Sequence, residues 1–370
     1  MSASVTFSTI KTASNHLFGL AVLNNPDALN ALTLQMIDLL DPQLKAWAED
    51  DAIAGVVLSA TGDKAFCAGG DVVSLHHACK RVGAGHVPPE AATFFEHEYR
   101  LDYRIHTYPK PVLCWAHGIV MGGGVGLMVG ASHRVVSPNA RIAMPEVHIG
   151  LYPDVGGSWF LQRMPKRMGL FMGLTGAIVN AGDALLGQLA DHVIAHEHYN
   201  DILTAIAETE WAGNELANRE LLSALLNRFS TEAPLGLLEQ HAETIEAIVQ
   251  TDSLEEISKG LHQLAKHSDP WLARAGQSFV HGSPTSAVLA FELPKILAGA
   301  GVADVLRLEY QAALGCCAHP DFSEGVRALL VDKDKSPKWN PGTLNEVSGQ
   351  TIEDIVKPRF DGPHPLADLV

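Results

Sequence analysis

No arginine occurs before Arg81, and the opening MSASVTFSTIKTASNHLFGL has no basic cluster leading into an apolar run. Neither a secretory signal nor an arginine-rich transit peptide is therefore expected, and the reading is a cytoplasmic protein. Cysteine is sparse. The five thiols (Cys67, Cys79, Cys114, Cys316, Cys317) are odd in number and lack C-x-x-C spacing, which fits neither a disulfide framework nor a zinc knuckle and points to a reducing compartment with no metal. Basic charge is short too: 26 Lys and Arg face 42 Asp and Glu, a net charge of −16. Nothing here supplies the basic surface that a nucleic acid needs. One run, residues 112–132, carries no charge and is long enough to span a bilayer, but six glycines and His117 dilute it and no second such run exists. It reads as a buried strand, a glycine-rich turn and a buried helix, so no membrane association is expected.

What remains is a globular composition, 47% hydrophobic and 18% charged, with enough apolar residues for a sizeable core. The length of 370 residues suits either one large core with an appendage or two domains. Over the first 200 residues, short apolar runs (19–23, 56–60, 112–115 and 134–137) alternate with helical patterns such as 32–47, which predicts a layered α/β class. After Asn200 the texture becomes helical: Leu222, Leu225, Leu226 and Phe229 recur at helical spacing, and Leu238, Ile245, Ile248 and Val249 mark a second stripe. Residues 201–260 hold twelve acids against three bases, Arg219, Arg228 and Lys259; this charge run reads as a solvated helix surface. Ser283-Pro284-Thr285-Ser286 has the form of an N-cap followed by proline at the first helical position. The expected organisation is a core over 1–200, a helical region over 201–340 packed on it, and an irregular tail over 341–370, which is rich in Pro and Gly.

Three segments carry chemistry. In AFCAGGD (65–71), paired glycines let the backbone turn sharply and offer an N–H to a ligand; an ordinary tight turn capped by Asp71 explains the same letters. MGGGVGL (121–127) fits neither G-x-G-x-x-G nor a P-loop. It can instead present a second N–H to the same oxygen, as a two-donor oxyanion hole requires, or simply allow close helix–sheet packing. MPEVHIGLYPDVGG (144–157) places Glu146 and Asp154 in an apolar run, where desolvation raises carboxyl pKa values toward the range of a general acid or base. His148, between them, is read as a packed or surface residue.

In this order and at these separations, the three segments resemble the crotonase (enoyl-CoA hydratase/isomerase) superfamily. PDVGGSWFL (153–161), SPTS (283–286) and DFSEGVRALLVDKDKSPKW (321–339) are similar to its 3-hydroxyisobutyryl-CoA hydrolase branch. The resemblance runs from about Ser14 to Pro341. It implies a crotonase-like spiral of ββα units, an acyl-CoA substrate whose thioester oxygen is held by the N–H groups of Gly70 and Gly123, and Glu146 as the main catalytic carboxylate. Asp154 would lie beside the acyl group, and Glu98, in FFEHEYRLDY, would contact substrate. No cofactor is implied, coenzyme A being part of the substrate, and a homo-oligomer is left open.

Two departures matter. Hydratases of the superfamily carry a second glutamate where this chain has Gly126. Adding water to a double bond uses two carboxylates on one water, so hydrolysis of a short 3-hydroxyacyl-CoA, as in valine breakdown, is the favoured activity. An enoyl-CoA isomerase or hydratase and a non-catalytic binding module are the alternatives. The segment Asn24-Asn25-Pro26-Asp27-Ala28-Leu29 also lacks two cations usual in the family. Lys333, Lys335 and Lys338 are the candidates to meet the CoA phosphates.

Overall fold

The computed structural model describes residues 3–370. The chain forms two compact units, each built from separated stretches. The first comprises the described residues through Gly70, then Arg100–Ile142 and Val179–Glu239; the second comprises Asp71–Tyr99, Ala143–Ile178 and Gln240–Val370.

In the first unit, a six-stranded sheet runs β1 (Val5–Lys11), β2 (Leu17–Leu23), β3 (Ile53–Ala60), β5 (Val112–Ala116), β7 (His133–Val136) and β9 (His192–Val193). Only the β1–β2 pair is antiparallel; β2 to β3, β3 to β5, β5 to β7 and β7 to β9 are parallel. Seven of the eight residues of β3, IAGVVLSA, are buried, as expected of a parallel strand covered on both faces. A second sheet has three short strands, β4 (Ala65–Cys67), β6 (Ile119–Met121) and β8 (Arg141–Ala143). The uncharged run over 112–132 resolves into β5, β6 and the helix Gly123–Val129. No helix among the described residues is long and apolar enough to cross a membrane.

The helix read at 32–47 spans Leu34–Glu49, because the Thr33 hydroxyl caps it by accepting the Met36 N–H. Its buried stripe is Met36, Ile37, Leu40 and Leu44. The helical spacing after Asn200 is realised in Glu215–Asn227, whose Leu222, Leu225 and Leu226 join a core with Phe18, Val57, Leu113 and Trp115. Glu215 and Glu220 stay on the solvent side.

The second unit is mainly helical. Ser283 caps the helix Pro284–Ile296 by accepting the Ser286 N–H, with Pro284 in its first turn. Val302–Ala318 is a largely buried helix. The tail beyond residue 341 holds one regular helix, Gly349–Val356, capped by Ser348. Its backbone packs against Gly315, where a Cβ would lie 2.0 Å from the Ile355 carbonyl oxygen.

Candidate active site

Two glycine turns lie together in the first unit. Strands β4 and β6 are parallel neighbours, with Ala65 opposite Ile119 and Cys67 opposite Val120, so the chain leaves both at the same edge of the sheet. Gly69 and Gly70 follow β4; Gly122 and Gly123 follow β6. Gly122 has φ 50 and ψ −122, a conformation that disfavours a side chain. A Cβ on Gly124 would sit 2.4 Å from the Cys67 carbonyl oxygen, so only glycine lets the second turn close on the first. Gly123 opens the helix Gly123–Val129, and its N–H is among those that no helical carbonyl accepts. Close helix–sheet packing, one of the two readings of MGGGVGL, brings the turns together. Gly126 is buried in the same helix and places no carboxylate there.

The acids gather in the second unit. Glu98 sits on the helix Pro89–His106, Glu146 opens the 3-10 turn Glu146–Ile149, and Asp154 precedes the helix Gly157–Phe160. All three are at most 5% exposed. Burial comes first among the causes that raise each carboxyl pKa: Asp154 rises to about 6, and Glu98 and Glu146 stand well above the ordinary glutamate value. The negative charge of Asp154 adds to the rise at both glutamates, and that of Glu98 adds at Glu146. The eight-residue spacing of Glu146 and Asp154, which did not require convergence, thus ends in one electrostatic cluster joined by Glu98. One Glu146 oxygen, Oε2, is buried and has no hydrogen-bond partner in the chain. A buried acceptor of this kind costs about 1–3 kcal/mol unless a ligand or water meets it.

Two members of the cluster escape a motif-based reading. The Tyr99 hydroxyl donates to Asp154 Oδ2 at 2.7 Å and pulls the Asp154 pKa back down against burial. Glu309, fully buried, accepts the N–H groups of Gly156 at 2.8 Å and Ser158 at 2.9 Å. It thereby ties down the backbone just after Asp154. Burial raises the Glu309 carboxyl to about 8, those two N–H bonds opposing the shift. A signal for Glu309 exists in the sequence: it shares a helical stripe with Val305, Leu306, Ala312 and Ala313, all buried, where an acid is out of place. His148 bonds through Nε2 to the Ser278 hydroxyl at 2.6 Å, and burial lowers its pKa, a packing role. Lys333, Lys335 and Lys338 are exposed, on the segment that Arg327 organises through Glu324, Asp332 and Asp334.

The enoyl-CoA hydratase/isomerase family pattern matches residues 18–356. The chain belongs to that family. Among curated members, 3-hydroxyisobutyryl-CoA hydrolase, mitochondrial, of Gallus gallus is 36% identical over 92% of this chain and 86% of its own length. The protein of the same name from Homo sapiens is 35% identical over the same shares. Among solved structures, a carnitinyl-CoA dehydratase from Mycobacterium thermoresistibile superposes with a TM-score of 0.84 at 33% identity, covering 96% of this chain and 97% of that one. An enoyl-CoA hydratase from Rhodobacter sphaeroides 2.4.1 gives 0.82 at 33%, covering 96% and 98%. The fold is the crotonase-like α/β architecture with a helical C-terminal region.

Proposed function

We propose that the protein hydrolyses a short 3-hydroxyacyl-CoA thioester of the 3-hydroxyisobutyryl-CoA type to the free acid and CoA. The Gly70 and Gly123 amides hold the thioester oxygen as it becomes an oxyanion. Glu146 either takes a proton from the attacking water or attacks the carbonyl itself to give a mixed anhydride that water then opens. On the first route the water oxygen bonds to the carbonyl carbon, the C–S bond breaks, and the CoA thiolate collects its proton from Glu146. Asp154 receives the 3-hydroxyl of the acyl group or orients the water, Glu98 contacts the substrate, and Lys333, Lys335 and Lys338 meet the CoA phosphates. The reading includes a cytoplasmic location and needs no cofactor.

The observation that carries this reading is the unpartnered, buried carboxylate oxygen of Glu146 within a cluster of acids. The many hydrolases among the relatives support the substrate class. The second reading, enoyl-CoA isomerisation or hydration, follows from the names of the two solved neighbours, but a glycine at 126 deprives hydration of its second carboxylate. The two separate in one assay: hydrolysis frees CoA thiol from 3-hydroxyisobutyryl-CoA, whereas isomerisation moves the double bond of an enoyl-CoA without releasing thiol. Glu146→Gln is expected to slow thiol release by about 10²–10⁴. A folded Glu146→Gln protein that turns over like the parent removes the assignment.

A further inference from the structure

Three of the unpaired buried polar atoms of the second unit fall close together, apart from His76 Nδ1 and Arg359 Nε. Besides Glu146 Oε2, the buried side-chain oxygens of Thr285 and Ser286 have no hydrogen-bond partner in the chain, and these residues are 3% and 1% exposed. Both lie in the first turn of the helix Pro284–Ile296, which packs on the 3-10 turn that Glu146 opens. The seam between them is fixed by a backbone bond, the Ser283 N–H donating to the Val147 carbonyl at 2.9 Å. Three orphan oxygens thus fall within one helical turn of a single bond. The Ser283 hydroxyl, by contrast, is engaged with Asp321 Oδ2 at 2.6 Å and with the Ser286 N–H, so capping accounts for Ser283 and leaves the next two hydroxyls unexplained. Burying a hydroxyl without a partner is disfavoured, and valine or alanine would fill the same space more stably. Hydroxyls at both positions therefore point to a polar ligand group.

The neighbouring space has the right character for an acyl group. A cavity of about 270 Å³ is lined by Tyr152, Pro153, Gly157 and Ser158, which flank Asp154, and by Ala290 and Phe291 on the same helix. Ser286 is one turn before Ala290, on the same helix face. Its walls are mainly apolar and suit a short carbon chain; the two hydroxyls do not line it but lie one turn earlier on the helix that supplies Ala290 and Phe291.

We propose that Thr285 and Ser286 are specificity-determining residues that receive the 3-hydroxyl of the acyl group beside Glu146, which leaves Asp154 the second of its two roles, orienting the water. The inference deepens the proposed hydrolase reading and rests on it for the substrate class. A site that hydrogen-bonds a substrate hydroxyl rejects the analogue lacking it, because its own polar groups are then left unpaired.

The test compares 3-hydroxyisobutyryl-CoA with isobutyryl-CoA, reading both kcat/KM for thiol release and Kd by calorimetry, for the parent and for Thr285→Val, Ser286→Ala and the double variant. The parent is expected to prefer the hydroxylated ester. The double variant should lose that preference by about tenfold or more in both readouts, and Thr285→Ser should keep it. A packing role would instead lower both esters alike and leave their ratio unmoved, which overturns the inference, as does a parent that binds the two esters equally. A parent that binds with the hydroxyl preference but frees no thiol refutes the hydrolase reading while leaving the hydroxyl-binding role in place.

Discussion

At the scale of single residues, the chemistry turns on how burial and one phenol set the proton affinity of Asp154. Desolvation lifts its carboxyl to about 6, and the Tyr99 hydroxyl holds it from rising further. Tyr99→Phe removes that donor while preserving the ring. The Asp154 carboxyl then ionises only at higher pH, so the acid limb of the kcat/KM profile for thiol release should move upward by about half a unit to one unit, one unit being about 1.4 kcal/mol of lost interaction with the charged form. A pH profile that superimposes on the parent's would show that Asp154 does not need to be charged for turnover. The names of these residues hid part of this arrangement. Glu98, Glu146 and Asp154 stand out beside recognisable motifs, whereas Tyr99 looks like any aromatic on an amphipathic helix.

At the scale of elements, the glycine turns depend on β4 and β6 running side by side. A methyl group at residue 124 would meet the Cys67 carbonyl oxygen at 2.4 Å, so Gly124→Ala must push the turn after β6 away from the one after β4. Losing one oxyanion-hole donor typically costs about 10²–10³ in kcat, and a loss of that order with a smaller change in KM is expected of Gly124→Ala. Unchanged kcat would mean that the spacing of these turns does not matter for the reaction. The loop after Asp154 depends similarly on the helix Val302–Ala318. Glu309→Ala leaves the buried N–H groups of Gly156 and Ser158 without an acceptor, at about 1–3 kcal/mol for each. Thermal unfolding should therefore shift clearly downward, and Glu309→Gln, which keeps an acceptor oxygen, should restore part of the loss. Secondary structure itself was legible from spacing: the helix Leu34–Glu49 and strands β3 and β5 lie within a few residues of their expected places. The helix in the tail was not, since Ser348 and Ile355 give a signal too short to outweigh the surrounding proline and glycine.

At the scale of the whole molecule, several acids are kept in the fold against their preference for water. The pKa values of Glu98, Glu146, Asp154 and Glu309 are all raised, chiefly by burial. A raised folded-state pKa means that the unfolded chain releases its protons first as pH increases. The contribution of these groups to stability is therefore full below about pH 4, the range of unperturbed carboxyls, and is lost as pH climbs through about 6 for Asp154 and about 8 for Glu309. Replacing Glu146 with glutamine removes one such group. The difference in Tm between Glu146→Gln and the parent should accordingly grow in the variant's favour from pH 5 to pH 8, measured by scanning calorimetry. A difference that stays constant over that interval would show that Glu146 pays no penalty for ionising. Such a stabilised, inactive variant is the usual signature of a site kept for function.

The order of elements, the two glycine-rich turns and the capped helix at Ser283 follow from the chain alone, because strand and helix periodicity, left-handed backbone and capping are local properties. Which few of the 42 acids lose their water is not local. Glu98, Glu146, Asp154 and Glu309 come from separate helices and turns, and desolvation arises only once those elements pack, so the tertiary structure alone decided that these four carboxyls hold their protons to higher pH and that Thr285 and Ser286 are left without partners.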